Sequence, residues 1–345
     1  MNDTIKRSFA SFEKIDAHLH FNAKNNAVVK LAEQYGFTLI TINVEFPEFG
    51  SIAAQREFAR ELMFKTAGSV RFVTTFSLDR WESPEWLADT LSAIERDMQQ
   101  GALAVKIWKN LGMEIRDKEG RMLLIDDDRL DPLFTYLENR GFPVVMHQAE
   151  PRNCWLPLNE MTMKYDREYF ARHPHYHMYR HTEMPSYKKL LAARDRRLSK
   201  SPALRTVQAH LASLEWSVDA LADFLERFPN AVVDTAARMN HLMYQAGKDW
   251  EKVVAFFVNY QDRILYASDF FITPENAKQA AQELEAIWLR DWLFLSQSER
   301  METDDFDGGF YGLGLNEAIL RKIYFENAQR VFKLYAFEKV GLAHV

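Results

Sequence analysis

Two histidines separated by one residue, His18 and His20, stand in the run Asp16-Ala17-His18-Leu19-His20. Alternate side chains of a β-strand point to the same face, so both imidazoles would lie on one side of the chain. Two imidazoles placed in this way can share a divalent metal ion. An isolated His-x-His pair is more often an ordinary pair of core or surface histidines, so the rest of the chain has to decide between the two interpretations.

Three later apolar runs also end in a residue type that binds metals. They end at His147, His210 and Asp269. A buried imidazole or carboxylate at the end of a hydrophobic strand is unfavourable unless it is paired or bound to a metal. If these strand ends meet at one place, the sequence predicts a metal site there.

The elements that would bring these residues together are eight short runs rich in β-branched residues, each followed by a polar turn and an amphipathic segment. This alternation is typical of a parallel sheet with crossover helices. The runs cover residues 14–20, 38–43, 70–77, 102–108, 143–148, 205–211, 231–235 and 263–269. The last can pair with the first, so the sequence predicts a single (β/α)8 TIM barrel over residues 1–345.

Helix start and stop signals lie between the predicted strands. Ser83-Pro84 and Thr273-Pro274 each indicate the beginning of a helix. Apolar residues at helical spacing indicate two more helices, one ending at Gly141 and one ending at Pro229.

Two connections are longer than the others. Residues 114–124, after the fourth strand, have the pattern of a hairpin with a turn that contains glycine. Residues 149–202, after the fifth strand, are too long for a simple helix connection and are expected to form a lid over the barrel mouth. The lid contains four histidines, for which a second metal site, packing and substrate contact are the alternatives: His173, His175, His177 and His181.

Composition excludes several other classes of protein. Hydrophobic residues make up 47% of the 345 residues and the formal net charge is −6, which fits a globular protein without affinity for nucleic acid. The basic residues between Lys188 and Lys200 alternate with leucines at helical spacing and are interpreted as a solvated helix face. A single cysteine, Cys154, excludes an intrachain disulfide, and no segment has the pattern of a signal peptide or a membrane span. A cytoplasmic protein is expected.

These motifs resemble the amidohydrolase superfamily, specifically its subgroup of TIM-barrel hydrolases, lactonases and non-oxidative decarboxylases. The resemblance extends over nearly the whole chain. It depends on residues 16–20, His147, His210, Ser268-Asp269 and the run Ile323-Tyr324-Phe325-Glu326-Asn327-Ala328. That last run differs from the usual Gly-Asn-Ala by carrying Glu326.

The resemblance implies one divalent ion held by His18, His20, His147 and Asp269. Zinc is the expected ion, although manganese or iron would suit the same nitrogen and oxygen ligands. The resemblance also implies that His210 polarises a substrate oxygen or moves a proton. Lys106 leaves two schemes open, because some relatives carry a carboxylated lysine here that bridges two metals, whereas in others a lysine attracts the substrate anion.

The expected substrate contacts are Lys106, Trp108, Arg238 and His177. Arg238 follows the seventh strand and could bind a carboxylate with both guanidinium nitrogens or form a salt bridge to a neighbouring loop. Glu150 and Arg152 directly follow the strand end at His147 and are alternative substrate groups.

The first functional hypothesis is hydrolysis of an amide C–N or lactone C–O bond in a small anionic substrate. A metal ion would activate water and polarise the carbonyl, with Asp269 as general base and His210 stabilising the oxyanion. The alternative is non-oxidative decarboxylation of an unsaturated or aromatic acid by the same ligands. No nucleic-acid or membrane partner is expected, and a homodimer is compatible with the chain.

Overall fold

Eight parallel strands close into a barrel around a core of apolar side chains. The computed structural model describes residues 3–334, so the two ends of the predicted domain, 1–2 and 335–345, lie outside the described residues. The barrel strands are β1 Lys14–Phe21, β2 Phe37–Ile42, β3 Val70–Thr75, β4 Val105–Ile107, β5 Val144–Met146, β6 Thr206–Gln208, β7 Ala231–Asp234 and β8 Ile264–Leu265. Every predicted run contains a strand, and the last six strands are shorter than predicted.

The barrel closes where the chain after β8 runs beside β1. The Ala17 amide donates to the Tyr266 carbonyl at 3.0 Å, and the Asp269 amide donates to the His18 carbonyl at 2.7 Å. Strand β9, Phe270–Ile272, then pairs in parallel with the end of β1. Together with the order β8-β7-β6-β5-β4-β3-β2-β1-β9, these bonds make the predicted TIM barrel. A separate antiparallel pair, β10 Arg300–Met301 and β11 Phe310–Tyr311, lies outside it.

Helices surround the barrel. They are α1 Asp3–Ala10, α2 Asn26–Tyr35, α3 Ile52–Lys65, α4 Trp86–Gln99, α5 Asn110–Met113, α6 Asp131–Arg140, α7 Lys164–Arg172, α8 Tyr187–Lys200, α9 Ala209–Ala212, α10 Val218–Arg227, α11 Met239–Lys248, α12 Trp250–Asn259, α13 Ala280–Ser296, α14 Glu317–Arg321 and α15 Asn327–Phe332. A π-helical turn, Lys322–Glu326, joins the last two. Within residues 3–334, no helix combines the length and the apolarity needed to cross a bilayer.

Most predicted helix boundaries agree with these helices, and one does not. Helix α6 ends at Arg140, and Gly141 follows with a φ of 62°, as its sequence indicates. The helix expected at Thr273-Pro274 begins only at Ala280. The side chain of Asn276 explains the delay, because it accepts from the Thr273 amide and donates to the Phe271 carbonyl, which stabilises a turn instead.

A β-bulge in β1 directs the two histidines toward the mouth of the barrel. Ile15 and Ala17 point into the barrel, whereas Leu19 and Phe21 pack against the helices. The pairing of β1 with β2 shifts register between Asp16 and Leu19. The bulge therefore moves the inward face from odd to even positions, and His18 and His20 face inward.

The two long connections differ in structure. Residues 114–124 fold back on themselves, with one antiparallel bridge between Arg116 and Met122 and a turn at Gly120, whose φ is 79°. The predicted lid ends earlier than residue 202, because its last part is α8, one of the barrel helices. The lid is therefore residues 149–186, which contain α7 and a small core of Cys154, Met161, Phe170 and Met178.

The basic residues of α8 are not all solvated, which corrects the interpretation of that helix. Arg194 and Arg197 are 2% and 1% exposed. Arg194 donates to the Ala212 carbonyl, and Arg197 pairs with Asp131 and lies over the Phe134 ring at 4.2 Å. These partners hold both guanidinium groups against the barrel. Helical spacing alone does not indicate them, because they lie in other elements of the chain.

Candidate metal centre

Three side chains from β1 and from the chain after β8 converge at the barrel mouth. The Oδ1 atom of Asp269 lies 3.4 Å from His18 Nε2 and 3.4 Å from His20 Nε2. All three donor atoms lie within 4.8 Å of one another. In the part of the chain that the structure describes, this is the one group of histidine, cysteine or acidic side chains with such spacing.

Hydrogen bonds on the far side of each ring determine which nitrogen carries the proton. His20 Nδ1 lies 2.8 Å from the Ile42 carbonyl, which can only accept, so this nitrogen is the donor. His18 Nδ1 lies 2.9 Å from Asp234 Oδ2 and donates to that carboxylate. In the neutral rings, both Nε2 atoms therefore carry a lone pair, and Lys106 Nζ lies 3.5 Å from that of His18.

This arrangement fits a divalent cation. Two nitrogen lone pairs and a carboxylate oxygen face one another across 3.4 Å, with no proton to share between them. Such a cluster of acceptors in a buried site is unfavourable without a positive charge at its centre. A metal ion supplies that charge, and a second partner that fixes the other nitrogen is usual for histidines that bind metals.

The other two predicted histidines lie next to this group. The rings of His147 and His210 are 4.1 Å apart between centroids, and the His18 ring is 5.2 Å from that of His210. His147 Nε2 is buried and has no hydrogen-bond partner among residues 3–334, although His147 does not belong to the tight group of three. His210 Nδ1 lies 2.9 Å from the Ala236 carbonyl, so its Nε2 is the nitrogen with the free lone pair.

Burial favours the neutral form of three of these histidines, His20, His147 and His210. It holds the pKa of His147 well below its ordinary value and lowers the pKa of His210 to about 3. Burial also lowers the pKa of His20. Neutral imidazoles beside a carboxylate are the protonation states that metal binding requires.

Sequence reasoning missed Asp234, which supports two of the site histidines. This carboxylate is 0% exposed, and its Oδ1 accepts from the His210 amide at 2.7 Å while Oδ2 accepts from His18. Asp234 ends an apolar strand as the predicted ligands do, so the same signal was present in the sequence. Asp16 was also missed. Its carboxylate accepts from the amides of His18 and Ser268 and from Trp288, and so connects β1 with the chain after β8 and with α13.

His210 begins a left-handed turn. Residues His210, Leu211, Ala212 and Ser213 have φ values of 58°, 55°, 57° and 54°. This conformation is disfavoured for residues with a side chain by about 1–2 kcal/mol each. The predicted sixth strand therefore ends at Gln208, and the turn directs the His210 ring toward the metal centre.

A cavity of about 660 Å³ lies above the candidate metal centre and is covered by the lid. Of the predicted substrate contacts, Lys106, Trp108 and Arg238 line it, as does Glu150. Aromatic rings form much of the wall, namely Phe46, Phe49, Trp108, Tyr169, Tyr176 and Phe271.

His177 is not among the lining residues, which corrects its predicted place. It is 1% exposed, its Nε2 bonds to the Leu156 carbonyl, and its ring stacks on Phe170 at 5.7 Å. Its position in the lid core results from this packing. Its neighbours His173, His175 and His181 line the cavity instead.

A TIM barrel with histidines and an aspartate at its mouth defines a large class of metal-dependent enzymes. The sequence profile of the family described as Amidohydrolase matches residues 15–334, so the chain belongs to the amidohydrolase family. No curated protein matches the chain by sequence.

Several solved structures share the fold. One is a 2,6-dihydroxybenzoate decarboxylase from Rhizobium, with 15% identity, 93% of this chain and 99% of that chain covered, and a TM-score of 0.54. An uncharacterized TIM-barrel protein from Bordetella bronchiseptica has 15% identity, the same coverage and a TM-score of 0.53. A dihydroxybenzoic acid decarboxylase from Polaromonas sp. JS666, with bound manganese and the inhibitor 2-nitroresorcinol, has 16% identity, coverage of 93% and 97%, and a TM-score of 0.51.

Proposed function

We propose that the chain is a metal-dependent hydrolase that cleaves an amide or lactone bond in a small anionic substrate. The observation that carries this proposal is the convergence of His18 Nε2, His20 Nε2 and Asp269 Oδ1, which have no proton to share, at the floor of a cavity. These three residues would hold one divalent ion, zinc or manganese, with His147 completing the set. A bound ion of this kind supplies a Lewis acid for the substrate oxygen and lowers the pKa of water.

The protein's own groups then handle the proton. Asp269 Oδ1 faces the two histidines of β1, whereas its Oδ2 lies 3.9 Å from His210 Nδ1. Neutral His210 presents a lone pair at Nε2, so it accepts a hydrogen bond from the attacking water and is not a donor for an oxyanion. We therefore assign Asp269 to taking the proton from that water and returning it to the leaving group, with His210 orienting the water.

The cavity selects the substrate by charge and shape. Lys106, 1% exposed, lies 3.5 Å from His18 Nε2, and Arg238 lines the same cavity. Two cations near the metal centre favour an anionic substrate, and the aromatic wall favours an apolar or planar body.

Non-oxidative decarboxylation of an aromatic acid is the second candidate. Two observations favour it: the aromatic wall of the cavity, and the similarity to solved structures of dihydroxybenzoate decarboxylases. In that reaction, His210 or Asp269 would deliver a proton to the ring carbon.

The experiment uses manganese- or zinc-loaded protein and a panel of N-acyl amino acids, lactones and hydroxybenzoates. Release of acid or amine supports hydrolysis, and release of carbon dioxide supports the second candidate. His210→Asn should abolish turnover and keep its metal, whereas Asp269→Asn should lose both. If His210→Asn loses metal as completely as Asp269→Asn, His210 is a ligand and its role in orienting the water is wrong.

A further inference from the structure

A second cavity of about 930 Å³ reaches the metal centre from the side of β7 and β8. It lies between the lid helix α7 and the beginning of α11, and it shares Arg238, Asp269 and Tyr169 with the first cavity. The two cavities therefore meet at Asp269, and a bound molecule can extend from one into the other.

Arg238 stands at this junction without an ion-pair partner among residues 3–334. Its side chain is nine-tenths buried, with 9% of its surface exposed. Its Nη1 donates to the Ala237 carbonyl at 2.9 Å, but its Nε has no acceptor, and no carboxylate of residues 3–334 forms an ion pair with it. A buried guanidinium that lacks an ion-pair partner favours the binding of an anion from outside the protein.

The beginning of α11 adds hydrogen-bond donors at the same place. Arg238 is the N-cap residue of this helix, and no side chain caps the helix. Among the described residues, the amides of Met239 and Asn240 have no acceptor, and both residues line the second cavity. Free amides and the positive end of a helix dipole attract anions.

The nearby carboxylates of Asp166, Asp291 and Asp305 are bound by other groups. Asp166 is bound by Asn153 and His241, and Asp291 is bound by Arg290. Asp305 accepts from the Tyr165 amide and from Asn240. Each of these acidic groups already has its own donors, and Arg238 acts on Asp166 from beyond ion-pair distance. The guanidinium is therefore available to a ligand.

We propose that the Arg238 guanidinium and the first amides of α11 bind a terminal carboxylate of the substrate. The substrate would then span the metal centre, with its apolar or aromatic part in the first cavity and its carboxylate in the second. The position of the reacting group between them rests on the proposed function, but binding of the carboxylate does not depend on turnover.

The test is calorimetric titration of the metal-loaded full-length protein with phenylacetate, with its neutral analogue 2-phenylethanol and with phenyl phosphate. We expect phenylacetate to bind at least about tenfold more tightly than 2-phenylethanol, because its bonds to a guanidinium are charge-assisted. Arg238→Met should remove this difference, and Arg238→Lys should reduce it. Lys164→Met, which removes another cation of the second cavity, should preserve it.

Metal content and circular dichroism of each variant show whether it is folded and loaded. Equal binding of phenylacetate by wild type and Arg238→Met would place the carboxylate at the metal or at Lys106 and overturn the proposal, as would equal binding of phenylacetate and 2-phenylethanol. If phenyl phosphate bound in an Arg238-dependent way and phenylacetate did not, the subsite would be specific for phosphate, and its assignment to a carboxylate would be wrong. Arg238-dependent binding of phenylacetate, in a protein that hydrolyses no member of the panel, would contradict the proposed function and support this subsite.

Discussion

The chemistry available to each site histidine depends on the atom that accepts the hydrogen bond from its Nδ1 nitrogen. Ile42 and Asp234 accept the Nδ1 protons of His20 and His18, so these two residues present Nε2 to the proposed metal centre. The Ala236 carbonyl does the same for His210. Sequence spacing predicts which imidazoles meet, but it does not predict these partners, which come from other strands and fix the proton.

Asp234→Asn is expected to weaken metal binding about 10- to 100-fold, because an amide does not replace the carboxylate that orients His18 and fixes its tautomer. A competition titration against a chromophoric chelator measures the change. Asp97→Asn is the matched control, since Asp97 is also 0% exposed but is bound to Thr74 and Arg56 instead of a site histidine. Equal loss of metal affinity in both variants would contradict the role assigned to Asp234.

At the scale of elements, the strands were the most predictable part and their ends the least. Apolar runs such as 143–148 locate a strand, but the hydrogen-bonded part, Val144–Met146, is shorter because the barrel is flanked by irregular turns. The bulge in β1 and the left-handed turn at His210 are set by partners far along the chain. The burial of Arg194 and Arg197 was missed for the same reason.

Glycine at position 212 tests whether the left-handed turn is strained. Ala212→Gly should be neutral or stabilise the protein by up to about 1 kcal/mol, because glycine adopts a positive φ without steric conflict. Ala193→Gly, at a similarly buried position within helix α8, should destabilise it by about 1 kcal/mol or more. Urea denaturation measures both free energies. If Ala212→Gly destabilised as much as Ala193→Gly, the turn would not be strained.

A buried lysine at the beginning of β1 gives a prediction about pH. Lys14 Nζ donates to the carbonyls of Phe9 and Phe12 at 2.5 and 2.6 Å, and it is 0% exposed. Burial lowers the pKa of Lys14 from 10.5 to about 7. Between these values the unfolded chain binds a proton that the folded protein does not, so folding becomes more favourable as the pH rises.

Wild type should therefore gain stability relative to Lys14→Met between pH 7 and pH 10, by at most about 1.4 kcal/mol per pH unit. The difference between their free energies of unfolding, measured in urea at several pH values, isolates the contribution of Lys14 from that of other titrating groups. A difference that stays constant over this range would show that the Lys14 pKa is not lowered.

On the scale of the whole molecule, the proposed metal centre lies where the barrel closes. His18 and His20 lie on the first strand, Asp269 lies after the eighth, and the Asp269 amide bonds to the His18 carbonyl. The sequence predicted this convergence because parallel strands of a barrel end at one face. It did not predict the second cavity, whose walls come from the lid, α11 and residues 303–305 and depend on how the connections fold.

A metal ion at this position should stabilise the closed barrel as a whole. Zinc or manganese at about 100 times its dissociation constant should increase the free energy of unfolding by about 2.7 kcal/mol, because the site requires strands from both ends of the chain and is absent in the unfolded state. Thermal denaturation of chelator-treated protein, with and without added metal, measures the effect.

His20→Asn should lose most of this stabilisation. His173→Asn is the matched control, because His173 lines the same cavity from the lid but bonds to the Tyr169 carbonyl. Loss of stabilisation in His173→Asn, with His20→Asn unaffected, would place the ion among the lid histidines and contradict the metal centre described above.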